Sequence, residues 1–153
     1  MYKRQAAKAE AAEGREVFRK LINVSSISGT MGNAGQVNYS AGKSAVVGMT
    51  KTLAKEWGQF KINVNAVAFG FVETRMTASK EAGVTVKGPD GEDIPQGIPD
   101  QMRAMAAMII PLGRPATPEE AAGPVMFLAS GLADYVHGQV LNVTGGQFGG
   151  MYT

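Results

Sequence analysis

Tyr39 and Lys43 stand four residues apart, and thirteen residues before Tyr39 comes Ser26, in the stretch NVSSISGTMGNAGQVNYSAGKSAVVG. On a helix, positions i and i+4 share a face, with Cβ atoms about 5–6 Å apart. An ammonium that close favours a phenolate over a phenol. Such a phenol can give a proton to a carbonyl oxygen as hydride reaches the carbon, or take one from an alcohol in reverse. A serine hydroxyl just beyond a strand end, here Ser26, can hold the same oxygen by a hydrogen bond. The spacing also suits a surface tyrosine packed on a lysine stem. The residues alone leave both readings open.

Gly42-Lys43-Ser44 in the same stretch invites a phosphate-loop reading, which fails on two counts. That loop needs a glycine five positions before Gly42, where the sequence has Val37. The lysine also lies within an apolar helical pattern and not at a strand-to-helix loop.

The elements that must position these residues follow from periodicity. Residues 1–13 are rich in Ala, Lys, Arg and Glu and read as the end of a helix, turned at Gly14. LINVS (21–25) is a β-branched run of strand length, followed by a loop carrying Gly29, Gly32 and Gly35. From about Asn38 to Trp57, Val46, Val47, Thr50, Leu53, Ala54 and Trp57 recur at three and four, one helical stripe. KINVNAVAF (61–69) is a second strand and GQVLNVTGG (138–146) a third. Between them, Pro89-Asp90-Gly91 marks a turn between two short alternating runs. DQMRAMAAMII (100–110) is helical, and TPEEAAGPVMFLAS starts a helix with Thr117 as N-cap, Pro118 first and Glu120 closing a capping box. Strand, helix, strand, helix, strand predicts an α/β fold with a parallel sheet. There is no internal repeat.

The composition, 44% apolar and 18% charged over 153 residues, is that of a soluble, cytoplasmic protein. A formal charge of +2 argues against a nucleic-acid partner, and no run is long enough for a membrane span. Without cysteine there are neither disulfides nor thiolate metal sites, and the single histidine, His137, reads as structural. No metal is expected. Met102, Met105 and Met108 share a helical spacing that reads slightly better as a core stripe than as the lining of an acyl pocket. Trp57 reads as core or subunit contact. Glu119 and Glu120 read as helix-start charges.

Taken together, INVSSISGTMGNAGQVNYSAGKSAVVGMTKTLAKEWG, INVNAVAFGFVETRM, GRPATPEEAAGPVMFLAS and GQVLNVTGG resemble the short-chain dehydrogenase/reductase family, and within it the 3-oxoacyl-carrier-protein reductases of fatty acid biosynthesis. The resemblance covers most of residues 20–147. It implies an NAD(P)-dependent oxidoreductase that reduces the carbonyl of a 3-oxoacyl thioester, or of another small molecule, to a secondary alcohol. Ser26 would orient the carbonyl, Tyr39 would be the general acid/base, and Lys43 would support Tyr39 and bond the nicotinamide ribose. FGFVET (69–74) sits where the family has Pro-Gly-x-x-x-Thr. There Gly70 would let the backbone approach the cofactor, the Val72 backbone would meet the carboxamide and the Thr74 hydroxyl would bond the cofactor. Bland alternatives are a strand-end turn at Gly70 and a helix N-cap at Thr74.

Three departures accompany the resemblance. Phe69 replaces the usual proline and would put a bulky ring beside the nicotinamide pocket. Gly42 stands where alanine is usual, at a helix cost of about 1 kcal/mol. The Gly-rich turn that seats the cofactor pyrophosphate on a helix N-terminus is absent. Residues 1–153 therefore resemble the C-terminal three-fifths of such an enzyme, a partial Rossmann-like domain whose segment 77–111 is a substrate-loop insertion. By itself this part is expected to be inactive, and the full-length protein to be a homodimer or homotetramer. The region that separates NAD from NADP lies outside the matched motifs. A secondary-alcohol or polyol dehydrogenase of the same family, and an inactive fragment acting only in subunit assembly, are the alternatives.

Overall fold

The run INVNAVAF is buried on both faces along nearly its whole length, so it can only be a central strand. In the computed structural model, which describes residues 2–14 and 16–147, it forms β2 (Ile62–Phe69). β2 lies between β1 (Arg19–Ser26) and β5 (Val140–Val143), and both pairings are parallel. The register sets Ser26 beside Phe69, so the two strands end together. Helices α1 (Tyr2–Ala12), α2 (Ile27–Met31), α3 (Val37–Trp57), α4 (Asp100–Met108) and α5 (Pro118–Ala129) accompany the strands, as do the hairpin strands β3 (Thr85–Lys87) and β4 (Asp93–Pro95). The expected α/β class and parallel sheet are present.

The described residues divide into two compact units. The first, residues 2–69 and 122–143, holds the three-stranded sheet. Because successive strand residues face opposite ways, β2 feeds two cores. Ile62 and Val64 join Ala7 of α1 and Ala54 of α3, with Leu21, Leu53, Trp57 and Phe60 packed around them. Val67 joins Leu128 of α5 and Ala133, with Ile22, Phe69, Val125, Val136 and Val143. Burying Ile62, Val64, Val67 and Leu128, each 2% exposed or less, contributes about 1.5–3 kcal/mol apiece. The Phe69 ring, half-buried at the end of β2, packs against this core.

The buried asparagines of β2 are tied to backbone. Asn63 donates to the carbonyls of Asp134 and Val136, and Asn65 donates to Val136 and accepts from the Gln139 N–H. His137 accepts from the Val64 N–H through Nδ1, and its Nε2 lies 2.7 Å from the Ala54 carbonyl, so its Nε2–H tautomer ties β2 to the end of α3. That is the structural role its sequence context suggested.

The second unit, residues 70–121 and 144–147, is built from turns. Its hairpin pairs β3 with β4 around the Pro89-Asp90-Gly91 turn. In the α5 capping box, Thr117 N–H donates to Glu120 and Glu120 N–H to the Thr117 hydroxyl. The two guanidinium bonds from Arg114, with the Thr117 N–H, hold the Glu120 carboxyl down to about 2. On α4, Met102, Met105 and Met108 are 58%, 60% and 85% exposed, so they are no core stripe. Periodicity could not separate these outcomes, because a methionine stripe looks the same on a covered and an open face.

Gly42 lies inside α3 and a Cβ built on it meets nothing within 4 Å. Replacing Gly42 by Ala is expected to raise stability by about 1 kcal/mol in urea denaturation. A loss of stability would show that the missing side chain serves packing.

Candidate active site

Lys43 is held at both ends of its side chain's reach. Its Nζ donates to the Val24 carbonyl of β1 at 3.0 Å, and its own backbone carbonyl accepts from the Ser25 hydroxyl at 2.9 Å. Arg19 N–H bonds the Lys61 carbonyl on the β2 side, so alternation turns the Val24 carbonyl to the outer edge of β1, where the ammonium caps it. The Lys43 ammonium also stands 5.7 Å from the centroid of the Tyr39 ring, within cation–π range. Tyr39 itself is 46% exposed in the first turn of α3. The expected pair on one helix face is present, and the Gly42-Lys43-Ser44 run lies within the helix, as the failed phosphate-loop test required.

Ser26 closes β1 and serves as N-cap of α2, a helix within a segment expected to be loop. Its Oγ accepts from the Ser28 N–H at 3.2 Å, while its donation to the Phe69 carbonyl is long, 3.5 Å. The oxygen is thus fixed by a backbone donor and its proton is weakly engaged.

α2 and α3 touch backbone to backbone. A Cβ on Gly29 would lie 2.6 Å from the Lys43 carbonyl carbon and Cβ, so only glycine fits. Ser44 Oγ donates to the Gly29 carbonyl at 2.6 Å. The sequence motifs do not single out Ser25 or Gly29 as partners of Lys43, nor Ser44 as the partner of Gly29. Period-two alternation along β1 is the available signal for Ser25, since Asn23, two residues earlier, also faces α3 through Thr50. A cavity of about 700 Å³ beside α2 is lined by residues including Gly29, Asn33, Val37, Ser40 and Ser44, but by neither Tyr39 nor Lys43.

Gly70, Val72 and Thr74 lie in the second unit. Gly70 has a packing reason to be glycine: an added Cβ would come 3.0 Å from Thr144 Cα and 3.2 Å from Gln147 Oε1. Glu73 N–H bonds the Ala116 carbonyl and Ala116 N–H the Phe71 carbonyl, a parallel bridge centred on Val72. The polar backbone of Val72 therefore points away from Ala116. Its carbonyl accepts from the Thr77 hydroxyl at 2.6 Å. Thr74 caps a short 3₁₀ turn through residue 77: the Thr77 Oγ1 accepts from Thr74 N–H at 2.8 Å and lies 3.1 Å from the Thr74 hydroxyl. Because the single Thr77 proton goes to Val72, the Thr74 hydroxyl is the donor of that pair; its oxygen accepts from the Thr77 N–H in the capping box and keeps one lone pair to spare. The N-cap alternative for Thr74 is realised. Thr77, which the motif pattern leaves unmarked, is findable as the far member of a Thr-x-x-Thr cap.

A family model described as enoyl-(acyl carrier protein) reductase matches residues 3–147. The chain belongs to the short-chain dehydrogenase/reductase family. It is similar to the 3-oxoacyl-[acyl-carrier-protein] reductase FabG of Aquifex aeolicus, 45% identical over 134 residues, which are 88% of this chain and 47% of that relative. The FabG proteins of Thermotoga maritima (45% over 126 residues, 82% and 44%) and Vibrio harveyi (41% over 129 residues, 84% and 46%) are similar in the same way. The chain thus spans less than half the length of each of these relatives.

Replacing Thr77 by Val removes the acceptor of the Thr74 amide. Hydrogen exchange at that amide should quicken at least about tenfold, the equivalent of about 1.4 kcal/mol. Unchanged exchange would mean that the turn is held by its backbone alone.

Proposed function

We propose that this chain supplies the catalytic and substrate-binding part of an NAD(P)-dependent reductase that converts the carbonyl of a 3-oxoacyl thioester to a secondary alcohol. The observation that carries the reading is the Lys43 ammonium, anchored on the Val24 carbonyl and set 5.7 Å from the ring of a half-exposed Tyr39. The names of the relatives support the thioester class.

When bound, a reduced nicotinamide supplies the hydride that reaches the carbonyl carbon. The Tyr39 hydroxyl gives its proton to the carbonyl oxygen, and the electron pair of the broken O–H bond stays on the phenolate. The Lys43 ammonium stabilises that phenolate, and one of its three protons already holds the Val24 carbonyl, which leaves two for ribose hydroxyls. Ser26 turns its weakly engaged proton to the substrate oxygen while the Ser28 N–H keeps Oγ in place.

Within the second unit by itself, the chemistry of two groups supports a nicotinamide carboxamide as ligand. The Val72 N–H, with no protein partner among the described residues, suits the carboxamide oxygen, and the Thr74 hydroxyl oxygen suits its N–H. Segment 77–111 is read as the substrate loop, with the exposed methionines of α4 meeting the acyl chain. The outward face of α3 carries the small residues Ala41, Ala45 and Gly48, which suits packing against a second copy in a homodimer or homotetramer.

In a full-length enzyme carrying these residues, Tyr39→Phe should lower kcat with NADPH and a 3-oxoacyl thioester about 10²–10⁴-fold, with nucleotide affinity little changed. Retention of most turnover would remove Tyr39 as the acid.

A further inference from the structure

Why the chain carries two serines at the end of β1 has an answer in the geometry. Strand alternation sends neighbouring side chains to opposite faces, so Ser25 and Ser26 cannot share a task. Ser25 is 2% exposed, and its hydroxyl donates to the Lys43 carbonyl in the second turn of α3. A hydroxyl that deep is costly to leave unpaired, so the bond is enforced by burial. One residue before it, the Val24 carbonyl receives the Lys43 ammonium, and one residue after it stands Ser26. Three consecutive residues of β1 thus meet Lys43 twice and present the hydroxyl expected to hold the substrate.

We propose that Ser25 is a positioning residue for the reaction: it fixes the height of α3 along β1, and so the placement of Lys43 and Tyr39 relative to Ser26. The Gly29 contact sets how closely α2 approaches α3, and Ser44 bonds only α2. Neither fixes the register of the helix on the strand. Ser25 does so at the Lys43 turn, because its bond runs from the strand that carries Ser26 to that turn, while the Asn23–Thr50 bond ties strand and helix two turns further along α3. This inference rests on the assignment of Tyr39 and Lys43 given above.

The test compares Ser25→Ala, Ser44→Ala and Tyr39→Phe in a full-length enzyme carrying these residues. Both serine variants lose one hydrogen bond, and their melting temperatures report that loss. Because sub-ångström misplacement of catalytic groups is costly, Ser25→Ala should lower kcat about tenfold. It should also weaken NADPH binding measured by fluorescence titration about threefold, since Lys43 serves both steps. Ser44→Ala should leave both within about twofold. A Ser25→Ala enzyme with kcat and NADPH affinity like the wild type, whatever its melting temperature, overturns the proposal. Equal losses in both serine variants overturn it too, because they would mark general loosening. An inert Tyr39→Phe substitution would instead sink the reading of the acid while leaving the Ser25 comparison readable.

Discussion

The contact between the end of β1 and α3 at Lys43 is the constraint on which the rest of the first unit depends. It combines a backbone approach that excludes any side chain at Gly29, a buried hydroxyl on the Lys43 carbonyl and an ammonium on the Val24 carbonyl. None of the three is strong alone, and a net hydrogen bond contributes only about 0.5–1.5 kcal/mol. Together they leave the helix one register on the strand. The cores on either side of β2 supply the stability; this seam supplies the placement.

Much of this was legible in the sequence, for identifiable reasons. The α3 stripe from Val46 to Trp57 and the doubly buried β2 announce themselves through period, because burial selects apolar residues at fixed spacing. The Thr117–Glu120 cap is equally readable, since few residue types can satisfy the first N–H groups of a helix. Tyr39 and Lys43 were visible as a pair four apart, and the surrounding motifs gave that pair its meaning. Ser26 was visible as a serine beyond a strand end, although its place as the N-cap of α2 was not.

What stayed hidden was long-range and polar. Ser25 bonds a residue eighteen positions away, and no local pattern distinguishes a serine that donates to a distant carbonyl from one facing water. Gly29 looked like a loop glycine, yet it sits in α2 against α3. The methionines of α4 went the other way: their periodicity suggested a core stripe, while the fold exposes them. Side-chain type says what a residue can do, and its neighbours in three dimensions decide whether it does so.

Lys43 is held between the Val24 carbonyl of β1 and the Tyr39 ring by contacts within the chain, and on this the proposed chemistry turns. Nuclear Overhauser contacts in the isotopically labelled chain measure it directly. The expected result is cross-peaks from the Lys43 side-chain methylenes to the Tyr39 ring and to Val24, with one resolved set of Lys43 shifts. A Lys43 side chain with averaged, solvent-like shifts and no contact to Val24 would contradict it.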